Sequence, residues 1–174
     1  MTPVHTDGMD ATDLSHLRRC VELATEAIDA GDEPFGSVLV DATGSVRRED
    51  RNRVGGGDDT RHPEFELARW SAANLTPAER AAATVYTSGE HCPMCSAAHA
   101  WVGLGRIVYA VSGRQLTDWR TSWGLPASAV ATLSIHEVAP TIPVDGPAPE
   151  LEPEMRALHE RKAASIASTV RDQG

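Results

Sequence analysis

Two pairs of residues in this 174-residue chain have the types and spacing for metal chemistry: His62 with Glu64, and Cys92 with Cys95. One imidazole and two thiolates form a zinc ligand set, and three protein donors leave a coordination position open for water. Cysteines three apart on a helix share a face, so both sulfurs can reach one ion. Two thiolates cancel the charge of the ion. Water held there is less acidic than on an all-histidine site and needs a nearby carboxylate to take its proton. Glu64, two residues from a ligand, is placed to act as that general base and acid. Two readings compete with this one. A closed structural zinc site would take a fourth ligand from His91 or His99. A redox Cys-x-x-Cys would leave His62 and Glu64 without a role.

For these residues to meet, two helix starts must come together. Pro63 and Pro93 suit the first helical position, which predicts helices over 63–74 and 93–102. Helix N-termini carry partial positive charge and favour the thiolate form of cysteine. Strands are expected at 37–41, 45–54, 84–88 and 106–112, with a weaker one at 132–138. Leu14, Leu17, Val21, Ala24 and Ile28 recur at helical spacing and predict a helix over 14–30, closed by Gly31. A last helix is expected over 154–168, after a proline-rich arm at 140–153. Residues 55–59 read as a flexible loop without the lysine context of a phosphate cradle. Strands alternating with helices argue for a sheet covered on both faces. The organisation expected is a lead-in over 1–13, a domain over 14–139, and a C-terminal arm and helix over 140–174.

Acidic residues outnumber basic ones 25 to 16, a net charge of −9. That balance opposes binding to a phosphate backbone and favours a small, weakly charged partner, so a nucleic-acid partner is not expected. The three cysteines, Cys20 among them as a helix residue with no ligand role, make no disulfide framework, and a reducing cytoplasm is expected. No apolar run approaches the roughly 20 residues of a membrane span. The acidic stretch from Met1 to Asp13 does not read as a signal peptide. His5, His16, His136 and His159 are expected at the surface, and Trp70 and Trp101 in the core.

His62-Pro63-Glu64 followed by Cys92-Pro93-Met94-Cys95 resembles the H-x-E and P-C-x-x-C signature of the zinc nucleobase deaminases, within the cytidine-deaminase superfamily. Glu33-Pro34-Phe35-Gly36-Ser37 is similar to the pocket segment of the guanine, cytosine and tRNA-adenosine branch. Asn52-Arg53, Thr87 to Glu90, and Arg106 to Ala110 resemble further segments of it, so the likeness covers about residues 14–112. It implies an α/β fold, a three-layer α/β/α sandwich around a mixed sheet of about five strands. It also implies Zn2+ on His62, Cys92 and Cys95, and hydrolytic deamination of an amino-heterocycle with Glu64 moving the protons. Asn52 would hold the edge of the base and Phe35 would line its face. Asp118 and Trp123, in a variable stretch, would close over the ring. A homodimer is implied as well, with Trp119, Trp123 and the tail from Pro140 covering a neighbouring pocket. The chain departs from the branch at three places. His91 stands where proline is usual, Pro63 lacks an N–H used by some members, and Trp123 stands where guanine-type relatives often carry an acid. Guanine is therefore the less favoured base. A tRNA-adenosine deaminase and a non-catalytic zinc-stabilised binding module are the alternative functions.

Overall fold

The computed structural model describes residues 8–172 of the chain. Its helices are α1 (Ala11–Asp29), α2 (Pro63–Asn74), α3 (Pro77–Ala82), α4 (Pro93–Trp101), α5 (Gly113–Ser122), α6 (Ile135–Val138) and α7 (Glu152–Asp172). Its strands are β1 (Gly36–Val40), β2 (Val46–Arg51), β3 (Thr84–Gly89), β4 (Arg106–Val111) and β5 (Val144–Asp145). They form one mixed sheet in the order β2-β1-β3-β4-β5. β1 runs antiparallel to both neighbours, whereas β3, β4 and β5 are parallel.

Alternation along the strands sends side chains to opposite faces. Leu39 and Val85 pack with Leu67 and Ala68 of α2 on one face, which α4 also covers. Val38, Tyr86 and Val108 pack with Leu17 and Val21 of α1 and Met155 of α7 on the other. This is the three-layer arrangement expected. Close contact between α1 and the sheet depends on Gly36, where a Cβ would lie against Leu23 and 2.5 Å from the Cys20 carbonyl.

The element boundaries have local causes. Asp10 caps α1: its carboxylate accepts from the N–H groups of Thr12 and Asp13, while Asp13 accepts from Asp10 N. Ala11 to Asp13, within the expected lead-in, are thus the first turn of α1. Residues 1–7, including His5, lie outside the described residues. The return strand ends at Arg51 rather than Val54, because the Asn52 side chain accepts the Val54 N–H and turns the chain. The strand expected at 132–138 is a correction: Ser134 caps α6 there, with Glu137 closing the capping box. The fifth strand lies instead within the proline-rich stretch, as the short β5. Two helices, α3 and α5, stand where none was expected, each opened by a capping box, Thr76 with Glu79 and Ser112 with Gln115. Trp70 packs half-buried against the core, but Trp101, at the end of α4, is 88% exposed and not a core residue.

Arg106 fastens the termini of the layers together. Its guanidinium donates to Asp13 at 2.8 and 3.0 Å and to Asp145 at 2.7 Å, and Tyr86 Oη also donates to Asp13, at 2.7 Å.

Candidate active site

His62 and Cys92 occupy equivalent places, each an extended N-cap residue followed by proline at the first helical position. Cys95 lies one turn into α4. The carboxyl end of β3 feeds α4, and α2 lies against α4 on the same sheet face. The imidazole and the two sulfurs therefore converge. His62 Nδ1 is 3.5 Å from Cys92 Sγ and 3.6 Å from Cys95 Sγ. All three donor atoms lie within 4.8 Å of one another. Tetrahedral bonds of about 2.05 Å to nitrogen and about 2.3 Å to sulfur put those atoms about 3.6 Å apart. The donor group thus has the dimensions of a zinc site.

Among the described residues no fourth histidine, cysteine or carboxylate joins this group. Neither residue considered as a closing ligand belongs to it. His99 Nε2 is paired with the Gly105 carbonyl at 2.8 Å, and His91 is buried edge-on against His99, ring centroids 5.3 Å apart. The Cys95 thiol and His62 hydrogen-bond to Cys92 and hold its thiol down at about 4, the Cys95 contact being the stronger influence. The same contact, with burial, pushes the Cys95 thiol well up. The bond to Cys92 raises His62 in turn, against the effect of burial.

Glu64, on the first turn of α2, is buried, and its Oε2 lies 3.9 Å from Cys95 Sγ. Burial raises its carboxyl above the usual range, although a hydrogen bond from Thr87 works in the opposite direction. Thr87 Oγ1 donates to Glu64 Oε1 at 2.7 Å, and Ser37 Oγ donates to Thr87 Oγ1 at 3.0 Å. A buried carboxyl with a raised pKa, held in one orientation, suits proton transfer in both directions. Thr87 and Ser37 stand in segments that carry the resemblance, but the sequence singles out neither of them. The signal for Thr87 was its place two residues before Gly89 on the strand leading to the cysteines.

Asn52 is 1% exposed, and its Oδ1 accepts from Glu33 N at 3.3 Å and Val54 N at 3.1 Å. Its amide nitrogen has no partner among the described residues and is free to donate. Asp32 locks the loop around it, accepting from Arg51 at 2.7 Å and from Gly55 N at 2.7 Å. The Asn52 N–H donates to the Phe35 carbonyl at 3.0 Å, so the two expected pocket residues adjoin. A Cβ on Gly89 would meet Phe35 Cε1 at 2.8 Å. Gly89 ends β3 two residues after Thr87, so the Phe35 ring sits at the carboxyl end of that strand, where His159 of α7 also meets it.

Asp118 is exposed on α5 and makes no hydrogen bond or ion pair with this group. Trp123 is half-buried at the end of α5, 6.5 Å from the Trp119 ring. His16 is half-buried against Tyr86, and His136 is exposed. His159 is a correction to the surface expectation. It is 4% exposed, its ring meets Phe35 edge-on at 5.1 Å and Trp119 at 6.1 Å, and its Nε2 has no partner among the described residues. Burial, helped by the charge of Arg120, lowers it to about 3. An unpaired buried nitrogen costs about 1–3 kcal/mol.

Residues 10–111 match the model of the cytidine and deoxycytidylate deaminase zinc-binding region. The chain belongs to this family. Zinc is the metal of these deaminases, and His62, Cys92 and Cys95 are the donors that fit it among the described residues. A probable cytosine deaminase of Schizosaccharomyces pombe is 36% identical over 60% of this chain and 63% of its own length. A tRNA-specific adenosine deaminase of Haemophilus influenzae is 32% identical over 55% of this chain and 56% of its own. The chain thus spans less than two thirds of the length of either relative. The guanine deaminase of Nitrosomonas europaea superposes with a TM-score of 0.66, covering 90% of this chain and 86% of that one. At 20% identity this likeness speaks for the deaminase fold alone.

Proposed function

We propose that the protein is a zinc-dependent aminohydrolase acting on a free nucleobase or a related small amino-heterocycle. The observation that carries this reading is a three-donor group with no fourth protein ligand among the described residues and a buried, oriented carboxyl beside it. Zinc held by His62, Cys92 and Cys95 would supply a Lewis acid able to acidify water near neutral pH. Glu64 then takes a proton from the attacking water and delivers it to the ring nitrogen beside the carbon under attack. It passes the second proton to the departing amine, so water and the amino-heterocycle become the carbonyl compound and ammonia. Thr87 keeps Oε1 of Glu64 aimed, Asn52 offers its free amide N–H to the edge of the base, and Phe35 lines the ring.

Two observations support a small substrate: the net charge of −9, and the solved structures of this fold that hold 8-azaguanine or 2,6-diaminopurine. A tRNA-adenosine deaminase is the second reading, favoured by the relative of that name. The same reading of the chain places it in a reducing cytoplasm and pairs it as a homodimer. In a non-catalytic zinc module, the buried Glu64 would have no work to do.

The test is ammonia release from amino-purines, amino-pyrimidines and amino-triazines, compared with inosine formation in a tRNA anticodon stem-loop. Release from one or more free heterocycles is expected. Inosine in the stem-loop with no activity on any free base would replace this reading with the second, and no activity on either would favour the binding module.

A further inference from the structure

We propose that His159, carried by α7, is a specificity-determining residue whose Nε2 hydrogen-bonds a heteroatom of the bound heterocycle. The proposal deepens the deaminase reading and rests on it. α7 lies outside residues 10–111, the stretch that carries the family likeness, so it can differ while the zinc chemistry stays the same.

The geometry leads from the proton-transfer group to this imidazole in short steps. Glu64 is bonded to Thr87, and Gly89 ends the same strand two residues later. The Phe35 ring lies over Gly89, and His159 meets that ring edge-on at 5.1 Å. The Phe35 carbonyl accepts from the backbone N–H of Asn52, whose side-chain nitrogen has no partner among the described residues. Two hydrogen-bonding groups without a partner among the described residues, the Asn52 amide nitrogen and His159 Nε2, therefore belong to residues that adjoin Phe35, one through its backbone and one through its ring. A flat heterocycle beside that ring carries its ring nitrogens, amines and carbonyls in its own plane, where such groups can reach them. A neutral imidazole donates from one nitrogen and accepts at the other, so Nε2 can serve a carbonyl or a ring N–H according to tautomer. The Trp119 ring also packs against the imidazole, 6.1 Å away and tilted by 46°.

Packing alone would be served at least as well by an apolar ring, which buries no unpaired nitrogen. That contrast gives the test. His159→Phe, His159→Leu and His159→Gln are made in the zinc-loaded full chain. Urea midpoint, zinc content, calorimetric affinity for 2,6-diaminopurine, guanine and cytosine, and the KM and kcat of ammonia release are measured for each. The Phe variant is expected to keep its zinc and to be at least as stable as the wild type. It should bind the preferred heterocycle about tenfold more weakly. The loss should fall on KM, with kcat within about threefold. The Gln variant, with a polar tip of different reach, should recover part of the affinity and change the ranking of the three compounds. Wild-type affinity and KM in the Phe variant would overturn the proposal. Should the Phe and Leu variants not fold, an unchanged ranking in the Gln variant would overturn it. A wild-type protein that binds a heterocycle but releases no ammonia removes the deaminase reading and leaves His159 to be judged on affinity. A wild-type protein that binds none of the three overturns the assignment of His159.

Discussion

Cys92 and Cys95 are the same side chain in two settings, one partly exposed at a helix cap and one fully buried a turn later. Each supplies one of three donors, and a zinc site with two is weak. Cys92→Ala and Cys95→Ala are therefore both expected to lose most of their zinc on dialysis, read by elemental analysis. Full zinc in either variant would remove that residue from the ligand set. Glu64 answers to a different measurement. Glu64→Gln should keep zinc and fold while turnover drops by about a hundredfold or more, since an amide moves no proton. Thr87→Val should show a milder loss of kcat, with zinc again retained. The cluster of His62, Cys92 and Cys95, with Glu64 beside it, was readable in the sequence because it is written in short spacings next to two prolines. His159 was not, because its partners Phe35 and Trp119 are distant in the chain and the spacing of α7 does not reveal which face meets them.

The elements are held by contacts that local pattern only partly announces. The Asp13–Arg106–Asp145 clamp joins α1, β4 and β5. Burial alone would raise the Asp13 carboxyl, but hydrogen bonds from Arg106, Tyr86 and Asp10 N outweigh it and hold it below its ordinary value. A carboxyl depressed by folding stabilises the protein above its unfolded pKa of about 3.9, and this contribution is lost as pH falls through the folded value. Asp13→Asn should accordingly cost about 1–3 kcal/mol at pH 7. The difference from wild type should shrink as pH drops below about 4, as read from urea midpoints. Met155 is fully buried between α7 and the sheet, and Met155→Ala should cost about 2–4 kcal/mol in the same assay. The helices opened by Pro63 and Pro93 were legible because proline marks their start. β5 was not, since two residues carry no period. The apparent strand at 132–138 lost to a stronger signal, the Ser134 and Glu137 capping box, which satisfies backbone donors that a strand would have to pair elsewhere.

Charge acts on the molecule as a whole. With 25 acids against 16 bases the chain repels a phosphate backbone at long range, and the proposed deamination of a small heterocycle needs no such partner. Binding to a tRNA stem-loop is expected to be undetectable at physiological salt in a fluorescence anisotropy titration. Tight binding that weakens steeply with added salt would reveal a local basic patch and revive the tRNA reading. The proposed homodimer is a second property at this scale, and light scattering across a dilution series should return twice the chain mass. A mass of 18.6 kDa at every concentration would set it aside.

Cys20, buried beneath the start of β1, has a thiol that burial pushes well above its ordinary value. Such a group is silent toward thiol reagents until the chain opens. The protein thus carries its own three-step counter. A colorimetric thiol reagent would find no free sulfur in the zinc-loaded chain. It would find Cys92 once a chelator has stripped the site, and the buried Cys95 and Cys20 only on unfolding. Demetallation and denaturation, which activity assays report as the same loss, would be told apart by a change in colour.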